Sequence, residues 1–167
     1  MKNVKLYNVL FPIWLLWLFP TTWLIVLPGN FLIDFAVVAL TLKFLKVPDI
    51  IKTTKKVILR VWLMGFVADF IGTLAMITWN FIYEAGESEF LYDMMYAINY
   101  NPFENIWAFL WVTICVILTA FVIYQFNYRW CLKKAEFDHE QRKKVALSLA
   151  VFTAPYLFYL PSMLLYQ

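Results

Sequence analysis

RVWLMGFVADFIGTLAMITWNFIY, residues 60–83, is long and apolar enough to cross a bilayer, yet it carries Asp69 near its middle and no lysine or arginine beyond Arg60. An ionisable group at such a depth is costly to keep and marks a functional site by default. At helical spacing Gly65, Asp69 and Gly72 share one face, which Met76 and Asn80 extend. Glycines admit a neighbouring helix at short range. Gly65 and Gly72 are therefore the expected packing points, and an acid on the same seam is enclosed by protein rather than lipid.

The rest of the chain has the same solvent. Of its 167 residues 63% are hydrophobic and 20% aromatic, with a mean hydropathy of +0.70, against about 45–50% apolar in soluble domains. The expected fold is all-α, a polytopic membrane helix bundle of about five transmembrane helices in one domain over 1–167. Its N-terminus is expected in the cytoplasm, its C-terminus outside, and the membrane is a plasma (inner) membrane. The apolar run after the opening MKNVK imitates a secretion signal, but it holds Trp14, Trp17 and Trp23 and lacks a small-residue cleavage site. It reads as a retained first span.

The expected spans are 9–27, 31–46, 57–83, 106–126 and 145–166. Pro28-Gly29-Asn30 is a turn signal between the first two, with Asn30 as the cap of the second. Treating 9–46 as one helix would need about 57 Å of rise across a ~30 Å core. The second span is short, so a re-entrant hairpin is an alternative for the first pair. Residues 47–56 set Ile50, Ile51 and Thr54 against Lys52, Lys55 and Lys56, the pattern of an interfacial helix. Residues 84–105 are acidic and free of basic residues, with Tyr92, Tyr96 and Tyr100 at a spacing that suits a short surface helix. Residues 129–144 form a basic loop or helical hairpin. Pro155 and Pro161 should bend or break the last span.

With five spans and the N-terminus inside, all fourteen basic residues fall on one side, as retention of Lys and Arg in cytoplasmic loops requires. The other side has only acids. Trp23, Trp79 and Trp107 then lie near the outer boundary, and Trp62 and Trp130 near the inner one.

The two intramembrane acids lead to the functional expectation: a small transport protein or channel for a cation, a proton-coupled solute or a small molecule. Asp69 would be the central ligand, Asp34 and Asn30 an outer access point one turn into the second span, and Asn80 a supporting ligand. With no intramembrane base beside it, an ionised Asp69 would need water, an ion or several donors. The structural alternative for Asp69 is a hydrogen-bonded acid that fixes helix packing. For Asp34 it is an acid at a helix N-terminus. Proline-broken spans can also build ion sites from freed carbonyls. Five spans enclose little lumen, so besides the lipid bilayer the expected partner is a second copy of the chain, as a homo-oligomer, or a larger membrane complex. The alternative function is a non-catalytic membrane subunit or scaffold that packs through the Gly65-Asp69-Gly72 face.

Enzymatic function is not expected, and no cofactor is. One histidine, no HExxH and no Gly-rich phosphate loop leave no acid, base and nucleophile set. Glu136-x-x-His139-Glu140 has a metal-like spacing, but no second cluster completes a shell. Cys115 and Cys131, about 24 Å apart along one helix, cannot form a disulfide. Nucleic acid is not an expected partner, because topology already accounts for the positive charge. An apolar ligand pocket including Trp14, Trp17 and Trp111 carries no further mark.

Overall fold

Residues 20–86 and 88–162 are described by the computed structural model, and the regular structure among them is helical. The helices are α1 (Pro20–Phe44), α2 (Ile50–Gly86), α3 (Glu89–Tyr100), α4 (Ile106–Arg129) and α5 (His139–Phe152), with 3-10 turns at Pro102–Glu104, Cys131–Lys134 and Tyr156–Tyr159. By length and composition α1, α2 and α4 can each cross a membrane.

Pro28, Gly29 and Asn30 do not form the expected turn, because α1 runs through all three. The first two expected spans are thus not separated there; residues 9–19 lie outside the described residues. Proline removes one backbone donor, and glycine costs about 1 kcal/mol of helix propensity. A turn in an apolar setting would strand several peptide groups instead, so continuing the helix is cheaper. Beside Pro28, the Leu27 carbonyl accepts a 3.0 Å hydrogen bond from Trp62 Nε1 of α2. Trp62, expected at the inner boundary, is therefore an α1–α2 contact, with its ring edge-on to Phe31 at 6.0 Å. The 25 described residues of α1 rise about 37 Å.

A Schellman motif closes α1. The Val47 N–H donates to the Leu42 carbonyl at 3.0 Å and the Lys46 N–H to the Lys43 carbonyl at 3.1 Å, with Lys46 left-handed at φ 55°. The interfacial helix expected over 47–56 is not a separate element. From Ile50 it forms the first turns of α2, which continue unbroken for 37 residues, since no proline or glycine intervenes before Gly65. Just past α4, Cys131 Sγ meets the Arg60 carbonyl at 3.5 Å. The α2 residues before Arg60 therefore extend beyond the end of α4, where Val57, Leu132 and Val145 share a core.

At the opposite end, Ser88 Oγ accepts from the Leu91 N–H and begins α3, while Asn105 Oδ1 accepts from Trp107 and Ala108 and begins α4. Tyr92, Tyr96 and Tyr100 stack along α3 at 6.2 and 5.2 Å. Asp138 and Gln141 form a capping box at the start of α5. That helix ends at Phe152, short of Pro155, and Ser162 Oγ reaches the Asn99 carbonyl of α3 at 2.8 Å. Residues 139–162 therefore travel from one end of the bundle to the other in two pieces, with the break that Pro155 leads one to expect; residues 163–166 of the expected span lie outside the described residues. Two carbonyls near this break have partners within the chain: Thr153 N and Oγ1 donate to Leu149 O, and Tyr156 Oη donates to Val151 O at 2.6 Å.

Charge sorts along the same axis. Lys43, Lys46, Lys52, Arg129 and Lys144 cluster at the first end, and Glu84, Glu89, Asp93 and Glu104 at the other. Between the two cores, Gly72 packs so tightly that a Cβ there would overlap Thr119 Oγ1 and come within 3.0 Å of Phe158.

Gly72→Ala should destabilise the bundle by about 1–3 kcal/mol, and Thr119→Ala in the same chain should recover part of the loss. Gly29→Ala meets nothing within 4 Å and should stabilise by about 1 kcal/mol. Thermal unfolding in detergent checks both, and equal stability of the two alanine variants would refute the contact. By the same assay Lys46→Gly should raise stability by about 1 kcal/mol, because it relieves a left-handed side chain.

Candidate functional site

The site is built from two helices packed side by side with opposite directions. On α2, Gly65 has no side chain to fill the space towards α1, and Asp34 occupies it: Asp34 Oδ2 lies 3.8 Å from where a Gly65 Cβ would stand. Asp34 is only 7% exposed. Asp69 follows Gly65 by one turn of α2 and lies within electrostatic reach of Asp34. Its Oδ1 is shut off from solvent and has no hydrogen-bond partner.

This placement corrects the expected role of Asp34. Because α1 begins by Pro20 and does not turn at 28–30, Asp34 lies fourteen residues into the helix, about 21 Å by helical rise. It is an interior acid beside the Asp69 turn rather than an outer access point at a helix N-terminus. Asn30 stands one turn before it, half-buried and inside α1, and so is not an N-cap.

Asn80 is eleven residues past Asp69, on the same phase of α2 but about 16 Å further along. It is not a ligand beside Asp69: its Oδ1 accepts from Asn99 Nδ2 at 2.9 Å and ties α2 to α3. The glycine seam thus serves three neighbours in turn. Gly65 faces α1, Gly72 faces α4 and the Tyr156–Tyr159 turn, and Asn80 meets α3.

Chemically the centre is two carboxylates with only acceptor oxygens. Among the described residues the ion pair recorded is His139 Nδ1 to Glu140 Oε1 at 3.6 Å, so neither buried acid has a basic partner there. Two such acids balance their charge with protons or with a bound cation. His139 is engaged through Nε2 with Tyr128 Oη at 2.8 Å, and no three His, Cys, Asp or Glu gather for a metal among the described residues. Both cysteines are free and buried.

The interior position of Asp34 had a sequence signal. Residues 20–42 carry a single charge, Asp34, the same isolation that singles out Asp69. Reading 28–30 as a turn hid it. Two further groups had no sequence signal, namely Trp79 Nε1 and Trp111 Nε1, both enclosed and without an acceptor. Their rings meet edge to face at 5.9 Å. Trp14 and Trp17 lie outside the described residues.

The sequence matches no protein-family model, and no curated protein and no solved structure is significantly similar to it.

Proposed function

We propose that this is an integral membrane protein that moves a proton or a small cation through the Asp34–Asp69 pair. The observation that carries this reading is the juxtaposition of two acids from facing helices, enclosed among apolar side chains with no base beside them. Keeping two such groups in a bilayer is expensive, and a packing role could be met by uncharged residues at lower cost. The three long apolar helices are compatible with membrane insertion.

A complete path needs more surface than one chain supplies. The apolar stretch of α1 is only 11% buried, and Leu32, Ile33 and Leu40 face outward on either side of Asp34. In this reading a second copy or a larger membrane complex covers that flank. The same exposed face supports a second reading, a non-catalytic membrane subunit that packs against a partner through the apolar flank of α1.

Flux into proteoliposomes separates the two. Under an imposed proton, sodium or potassium gradient the purified chain should conduct one of these ions, and Asp69→Asn or Asp34→Asn should lower that flux about tenfold or more with unchanged elution from a sizing column. Asp93→Asn, on the exposed α3, should leave it unchanged. No flux under any of the three gradients, together with loss of assembly in Leu32→Asn on the exposed α1 flank, would overturn transport in favour of the subunit.

A further inference from the structure

Two acids within electrostatic reach of each other and without a base beside them repel, and either a proton or a metal cation would relieve them. The surroundings of Asp69 decide between the two. Its Oδ1 is packed so closely that a water-sized sphere finds no room against it, and no donor reaches it. A potassium ion, close to water in size, has no access to this oxygen. A smaller cation held by Oδ2 alone would leave Asp69 a carboxylate, with part of the negative charge on Oδ1 and nothing there to solvate it. A proton on Oδ2 instead turns Oδ1 into a neutral carbonyl oxygen, whose unpaired burial costs far less than that of a charged one.

The supply of ligands points the same way. Hard cations gather about six or more oxygens, and transporters that hold ions within the bilayer draw carbonyls from unwound helices. Here α1 runs unbroken through Asp34 and α2 through Asp69, so the carbonyls at that level stay in the helical ladder. With Asp69 Oδ1 closed off, three carboxylate oxygens remain, and the side-chain oxygens a turn away on the two helices are those of Asn30 and Thr73. That falls short of such a shell. The other elements bring no charge to this level: α4 carries none before Arg129 at its last position, α5 none after Lys144, and the acids of α3 are at the far end. The Cys115 thiol shares a core with Met76, two turns further along α2.

We infer that the species held by the Asp34–Asp69 pair is a proton and not a metal cation, with Asp69 as the protonated member. On the transport reading, on which this consequence rests, what the protein moves is protons.

The test is infrared absorption of the full chain at neutral pH in a maltoside detergent, which has no carbonyl group of its own. The parent should show the C=O stretch of a protonated carboxylic acid, and Asp69→Asn should lose it while eluting from a sizing column as the parent does. Replacing choline by sodium or potassium should leave the parent's band unchanged, because a cation bound at the pair would displace the proton. That arm needs no variant and stands even if Asp69→Asn does not fold. In proteoliposomes the parent should pass protons about tenfold or more faster than Asp69→Asn, with sodium and potassium flux no higher than in protein-free vesicles. Absence of the band from the parent, its persistence in Asp69→Asn or its loss in sodium or potassium would overturn the assignment. An Asp69-dependent sodium or potassium flux would also overturn it and leave transport standing. A band that behaves as expected with no flux under any gradient would overturn transport and support the proton on Asp69, so the two fail separately.

Discussion

A peptide group in hydrocarbon has no water to bond to, and at several places among the described residues where a helix starts or breaks the chain supplies the missing partner itself. Six threonines turn their hydroxyls back to the carbonyl four residues earlier: Thr41, Thr54, Thr78, Thr113, Thr119 and Thr153. Asn127 does the same with its amide. Where Pro155 leaves the Val151 carbonyl without its helical donor, the longer side chain of Tyr156 reaches it; Trp62 bonds the Leu27 carbonyl and ties α2 to α1. Helix starts at the acidic end are held by Ser88 and Asn105. The continuity of α1 and the orderly break after α5 follow from this one requirement.

Given saturated helices, contact is governed by what the α2 seam omits. Gly72 lets Thr119 and Phe158 approach α2 more closely than any side chain would allow, which holds α4 and the Tyr156–Tyr159 turn against it. Gly65 leaves a gap of another kind, filled by the Asp34 carboxylate. The same residue type thus makes a close helix contact at one level and a polar chamber two turns earlier. Asn80 and Asn99 complete the series with a side-chain amide link to α3. Of the two polar side chains on this seam, Asn80 is paired with another segment of the chain, whereas Asp69 Oδ1 is enclosed without a donor.

Much of the fold was legible in the residues because hydrocarbon imposes a coarse rule: long uncharged runs become helices. The α4 helix, the tyrosine-spaced α3 and the break before Pro155 follow from spacing and punctuation that act locally. The misread boundaries lie where local punctuation met a non-local cost. Pro28-Gly29-Asn30 has the residues of a turn, but the helix continues through them, because a turn in hydrocarbon would strand several peptide groups at once. Likewise the lysine-rich stretch before Arg60 has the pattern of a separate surface helix, yet its apolar side is covered by Leu132 and Val145 from distant parts of the chain, and it stays in line with α2.

The sequence by itself determined the solvent, the helical class, the segregation of basic from acidic ends and the isolation of Asp69. Each of these depends on composition or on residues within a few turns of one another. Only the tertiary structure decided that Asp34 and Asp69 belong to one site, that Asn80 belongs to another, and that Trp79 and Trp111 enclose two unpaired donors. The physical reason is that these relations depend on how two helices slide and rotate against each other. That register is set by side-chain volumes on both surfaces at once, and no single stretch of chain contains it.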